Sequence, residues 1–147
     1  MRARWVLVLL VLAPLACADL NINPEYGSIQ EVILDPSFRG DIMPVLRQTC
    51  GSSGACHGGA NPQQGLKLDD DSLAYVTLVN VVSSAVQAGN MLRVTPGDTA
   101  NSFMYRVLSL NRTFRLDYYR MPLTEYALPD ETRLTIAHWI LDGAPYN

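Results

Sequence analysis

A pair of cysteines and a histidine stand close together in Cys50-Gly-Ser-Ser-Gly-Ala-Cys56-His57, and no other stretch of the chain is better supplied for holding a prosthetic group. A histidine directly after the second cysteine of a pair is the arrangement of c-type haem attachment. The thiols add to the vinyl groups of the porphyrin, and the imidazole is thereby placed under the iron. The usual motif has two residues between the cysteines; this chain has five. Glycine and serine let the additional residues bulge outward while the sulfurs keep their relative position. The competing chemistry is a disulfide between Cys50 and Cys56 in an oxidising compartment, which staples a helix end but gives His57 no task. Zinc is a poorer match, because a structural site takes about four ligands and only Cys50, Cys56 and His57 cluster here.

A haem that transfers electrons usually has a second axial ligand, and Met121 is the best candidate. It stands before Pro122 in a loop after Tyr118-Tyr119-Arg120, and its thioether is a soft ligand that favours reduced iron and raises the potential. Met43, Met91 and Met104 fall on or near helical stripes and read as core packing. His138 is a rival ligand, but beside Trp139 in the middle of a helix it reads as a partly buried, hydrogen-bonded residue. Asp69-Asp70-Asp71 reads as a solvated cap region rather than a cation site. Tyr118, Tyr119 and Tyr126 read as residues closing a core, and Asn111-Arg112-Thr113 fits a glycosylation acceptor that carries little meaning in a bacterial export context.

The elements that must position these groups are helical. Asp41 is placed to cap a helix with Ile42, Val45, Leu46 and Thr49 on one face, delivering Cys50 at its end. Residues 51 to 65 form a loop rich in glycine and serine. Asp71 or Ser72 then caps a second helix with Leu73, Val76, Leu78, Val79 and Val82 inward, ending by Gly89. Pro96-Gly97-Asp98 is a turn, after which Asn101 or Ser102 opens a third helix carrying Phe103, Met104, Val107 and Leu108. The last helix follows Pro129-Asp130, carries Leu134, Ile136, Ala137, Ile140 and Leu141 inward, and stops at Gly143. No run alternates long enough to demand a sheet. The fold class expected is mainly α, with one domain over 38–147.

The N-terminal residues read as an export signal over 1–16: Arg2 and Arg4, an apolar run from Trp5 to Ala13, then the small residues Ala16, Cys17 and Ala18. That run is shorter than the roughly 20 residues a membrane span needs. Leu15-Ala16-Cys17 resembles a bacterial lipobox, which would make Cys17 a lipidation site and tie the protein to a membrane surface through 17–37 as a tether. Pro14 departs from that pattern, and ordinary cleavage after Ala18 is the alternative. Without Arg2 and Arg4 the chain has nine basic against fourteen acidic residues. That balance offers no basic patch for nucleic acid and fits a redox partner with a basic docking face.

Beyond Cys50, Cys56 and His57, an ordered set of motifs follows: Gly65-Leu-x-Leu68, Tyr75 with Leu78-Val79-Asn80, Pro96-Gly97-Asp98 with Ser102, Met121-Pro122, and Ile136-x-x-Trp139-Ile140-x-x-Gly143-Ala144. From Ile42 to Ala144 this order resembles bacterial cytochrome c-like domains of the planctomycete type. The resemblance implies a cytochrome c-like helical fold, haem c as cofactor, His57 as proximal ligand and Met121 as distal ligand. Together with the export signal and the acidic balance, the expectation is an exported electron carrier of the periplasm or cell envelope working with redox protein partners, and no Ser-His-Asp set, paired carboxylates or phosphate loop argues for an enzyme. The alternative from the residues alone is a haem-free surface lipoprotein stapled by a disulfide between Cys50 and Cys56, acting as a binding or structural module.

Overall fold

A computed structural model describes residues 31–109, 120–123 and 127–147. Among these the chain is mainly helical, with no sheet and only isolated bridges. A π-helical turn, Phe38–Ile42, runs directly into α1, Met43–Thr49; α2 is Asp71–Leu78, α3 Phe103–Ser109 and α4 Asp130–Leu141. None of the described helices is long and apolar enough to cross a membrane. Cys17, Asn111, Thr113, Tyr118, Tyr119 and Tyr126 lie outside the described residues.

The first helical segment begins earlier than its sequence pattern predicts. Ser37, rather than Asp41, is the cap: its Oγ accepts from Gly40 N–H at 3.1 Å, while Asp41 Oδ2 reaches back to accept from Ser37 N–H at 2.8 Å and Ser37 Oγ at 2.9 Å. Each side chain thus satisfies a backbone donor that the helix start leaves open. Ile33, in the segment expected to be a tether, donates its N–H to Thr135 Oγ1 at 3.0 Å.

The core is built where the π turn, α1 and α4 meet. Phe38 and Trp139 are fully buried and stack at 5.3 Å between centroids, and Tyr75 meets Phe38 edge-on at 5.3 Å. Such pairs add to what burial alone contributes. Each polar handle on these rings finds a carbonyl: Trp139 Nε1 donates to Pro145 O at 3.0 Å and Tyr75 OH to Ala144 O at 2.9 Å. Phe38 N–H also donates to Asn147 Oδ1 at 2.7 Å, so residues after α4 close over the start of the π turn.

Two inward faces differ from expectation. In α2 the cap is Asp70, whose carboxylate accepts from Leu73 N–H at 2.9 Å, and the buried residues are Ala74 and Leu78. Leu73, Val76 and Val82 are exposed. The helix stops at Leu78, not near Gly89, because Val79 turns extended, Asn80 takes a left-handed φ of 59°, and 79–82 then pairs with 92–94: Asn80 N–H donates to Val94 O at 3.0 Å and Arg93 N–H to Val81 O at 2.7 Å. In α4, Leu134 and Leu141 are exposed, and the face with Thr132, Thr135, Ile136, Trp139 and Ile140 is buried instead. Of the methionines read as core, Met43 and Met104 are buried, whereas Met91 is only half-buried and its sulfur accepts from Arg106 Nη1 at 3.2 Å.

Candidate functional site: an apolar cavity between the cysteine loop and α3

A cavity of about 430 Å³ opens beside the end of α1. That is within the range of about 300–1,000 Å³ typical of small-molecule and cofactor sites. Four residues singled out from the sequence line it together: Cys50, Cys56, His57 and Met121. They come from two distant parts of the chain. The loop after α1 brings the first three, and Met121 comes from a segment 64 positions beyond His57 in the numbering. Most of the remaining wall is apolar, with Leu46 of α1, Leu68 and the α3 residues Met104, Val107 and Leu108 forming its floor.

The backbone explains how the widened cysteine spacing is accommodated. Cys50 N–H and Gly51 N–H both donate to Leu46 O, at 2.9 and 2.8 Å, ending α1. His57 N–H then returns to Cys50 O at 3.0 Å, closing the loop at its base, and Ser52 to Cys56 stand exposed beyond that closure. Leu68 N–H donates to His57 O at 2.6 Å, pinning the histidine to the chain that leads into α2. Closure depends on close backbone approach. A Cβ on Gly51 would lie 2.4 Å from Leu68 O, and one on Gly58 would lie 2.1 Å from Gly51 O. Gly54, at the tip, has open space around it.

His57 is half-buried, and its Nδ1 pairs with Gln63 O at 3.1 Å, a contact that calls for the proton on Nδ1. With the proton there, Nε2 carries the lone pair. Carbonyl support of this kind is the usual way a ligating imidazole has its tautomer and ring plane set. Burial pushes the imidazole below its ordinary value, the Gln63 and Leu66 carbonyls partly offsetting this.

Both cysteines are free thiols. Cys50 is mostly covered and lies 3.3 Å from Thr49 Oγ1, and burial pushes its thiol up; Cys56 is exposed. Among the described residues no three His, Cys, Asp or Glu side chains converge on one point, so Cys50, Cys56 and His57 do not form a cage for a bare metal ion. All three line the cavity. Met121 is half-buried against the core, and its N–H donates to Val107 O at 3.0 Å, coupling the loop to α3. His138 is half-buried on α4 and takes no part in the cavity wall.

Asp70 and Asp71 act as α2 cap and as partner of Arg47, while Asp69 accepts from Gly59 N–H at 2.8 Å and pairs with Lys67 at 2.7 Å. The acidic triplet thus braces the cysteine loop against α2. Sequence reasoning overlooked Arg93, a buried arginine in the cavity wall. Its only visible signal was one charge within Met91-Leu92-Arg93-Val94. No family model, no curated protein and no solved structure matches this chain.

Proposed function

We propose that this chain is a c-type-cytochrome-like electron carrier that holds one haem in the cavity between the cysteine loop and α3. The observation that carries the reading is the meeting of Cys50, Cys56, His57 and Met121 on one mostly apolar cavity. Separate packing or stapling duties would not require these four residues to share a wall. The donor set fits the group: an imidazole with its Nδ1 tied to a carbonyl, a thioether from another part of the chain, and thiols beside the imidazole. Bound haem would supply a one-electron couple, and the protein would tune it through ligands, burial and hydrogen bonds.

The residues have distinct duties in this reading. Gln63 O holds the His57 ring in the tautomer that presents Nε2. Met121, lining the same cavity, would supply a soft thioether ligand that favours the reduced state. Cys50 and Cys56 offer thiols for attachment, Cys56 being the more accessible. The apolar wall from Leu46, Val107 and Leu108 limits water at the site and so holds the potential up. Export, lipidation at Cys17 and a redox protein partner belong to the same proposal, as does a carrier rather than catalytic role.

The test is a visible absorption spectrum of the full chain exported in a host with haem c maturation machinery, followed by mass spectrometry after denaturation. Sharp reduced bands and a mass increased by one haem are expected. A colourless protein lighter by a pair of hydrogens would mean a disulfide between Cys50 and Cys56, and the electron-transfer reading would be dropped for the stapled module.

A further inference from the structure

Charge is missing from two stretches of this chain. Cys50 to Leu66 contains no Asp, Glu, Lys or Arg, and neither does Ser72 to Leu92, although such residues make up 17 % of the sequence. Both stretches contribute to the cavity wall, the first through Cys56, His57 and Gln63 and the second through Ser83, Ala85 and Gln87. Among the residues that line the cavity only Arg93 carries a permanent charge, and it is buried and donates to the Thr77 and Gln64 carbonyls. Arg47 and Lys67, next in the numbering to wall residues, are paired with Asp71 and Asp69, and Arg120 does not line the cavity.

Exposed aliphatic side chains border the same cavity. Val86, between the wall residues Ala85 and Gln87, is 93 % exposed, and Leu123, which lines the cavity, is 72 % exposed. In the short 3-10 turn Val86–Ala88, Ala88 N–H returns to Ala85 O at 2.9 Å, which buries Ala88 and leaves Val86 outside. A single exposed aliphatic residue is ordinary. Two beside a cavity whose surround lacks charge match the centre of a protein–protein contact, which is depleted in charged residues. The acidic surplus of the chain lies elsewhere: Asp69, Asp70 and Asp71 brace the loop and α2, Asp130 and Glu131 open α4, and none of them lines the cavity. At physiological ionic strength the screening length is about 8 Å, so distant charges guide a partner weakly once it reaches an uncharged opening.

We propose that electrons pass through this uncharged opening to a redox protein whose own contact face is neutral and aliphatic, in place of the basic face that the overall acidity suggests. The inference rests on the haem reading above and adds to it the chemistry of the partner.

The test uses the haem-loaded full chain and two oxidants of opposite charge, tris(phenanthroline)cobalt(III) and hexacyanoferrate(III), each of which takes one electron from the ferrous protein. The ratio of their rates is compared in Val86→Glu and Leu141→Glu. Both variants add the same charge to the molecule, one beside the cavity and one on α4 outside its wall. At about 0.1 M ionic strength V86E should move the ratio toward the cation by roughly tenfold and L141E by less than about twofold. V86K should move it the opposite way. Equal shifts in V86E and L141E overturn the assignment of the opening. Octalysine stands in for a basic docking face: it should leave wild-type exchange unchanged and slow V86E, and inhibition of the wild type overturns the neutral partner. Sedimentation should show a monomer, and a dimer that V86E dissociates gives the face to a second copy and overturns the proposal. All of these results leave haem binding standing, whereas a chain that takes up no haem overturns the haem reading and this inference with it.

Discussion

Replacing Met121 by leucine, and separately by alanine, separates packing from ligation. Met121 is half-buried and touches the core through its side chain. Truncating a fully buried methionine to alanine costs about 2–5 kcal/mol, so a half-buried one should lose about 1–2 kcal/mol. Leucine keeps nearly all of the volume, and M121L should cost less than about 1 kcal/mol in a urea titration of the haem-free chain. If Met121 only packs, the haem-loaded M121L protein should keep the wild-type spectrum and potential. If its sulfur is the distal ligand, M121L and M121A should lose the thioether-to-iron absorption of the oxidised form equally, and both should show a lowered potential, because the soft ligand that favours reduced iron has gone. The assays are an oxidised absorption spectrum and a redox titration, run beside the stability measurement. An M121L protein with unchanged spectrum and potential would refute the ligand role and return Met121 to the core.

Three further outcomes follow from the loop geometry. Gly58→Ala should destabilise the chain by at least about 2 kcal/mol and impair haem retention, because its Cβ would meet Gly51 O at 2.1 Å, whereas Gly54→Ala should fall within about 0.5 kcal/mol of wild type; paired urea titrations check this. In the haem-free chain, iodoacetamide at pH 8 should alkylate Cys56 well before Cys50, since Cys56 is exposed while burial raises the Cys50 thiol; peptide mapping by mass spectrometry reads the order, and equal rates would contradict the placement of Cys50. Asp69 is held below its ordinary value of 3.8 by Lys67 and by Gly59 N–H. A lowered folded value contributes stability that is present above 3.8 and is lost as the pH falls through the folded value, so wild type should lose stability across that acid window and Asp69→Asn should show less of that loss. Thermal melts between pH 2 and 6 test the difference.

The helical character of the chain was legible because helix starts and stops are local events. Pro129-Asp130 and Gly143 bracket α4, and Pro96-Gly97-Asp98 with Ser102 precedes α3, through short-range hydrogen bonds that neighbouring residues settle among themselves. Which face turns inward was less legible. Leu73, Val76 and Leu134 satisfy a helical period yet stand exposed, because Phe38, Tyr75 and Trp139 occupy the space the core has and the small or polar Ala74, Thr132 and Thr135 fit against them. The cysteine spacing was visible as a departure, but not its solution. Closure by His57 N–H on Cys50 O and the tight approach of Gly58 to Gly51 are contacts between backbone groups, which residue identity barely encodes. The sequence by itself determined the set of groups able to do chemistry: Cys50, Cys56, His57 and Met121. Only the tertiary structure decided that these share one cavity and that Arg93 sits buried in its wall, because meeting across 64 positions depends on how α1, α3 and the paired segments 79–82 and 92–94 pack, not on any local pattern.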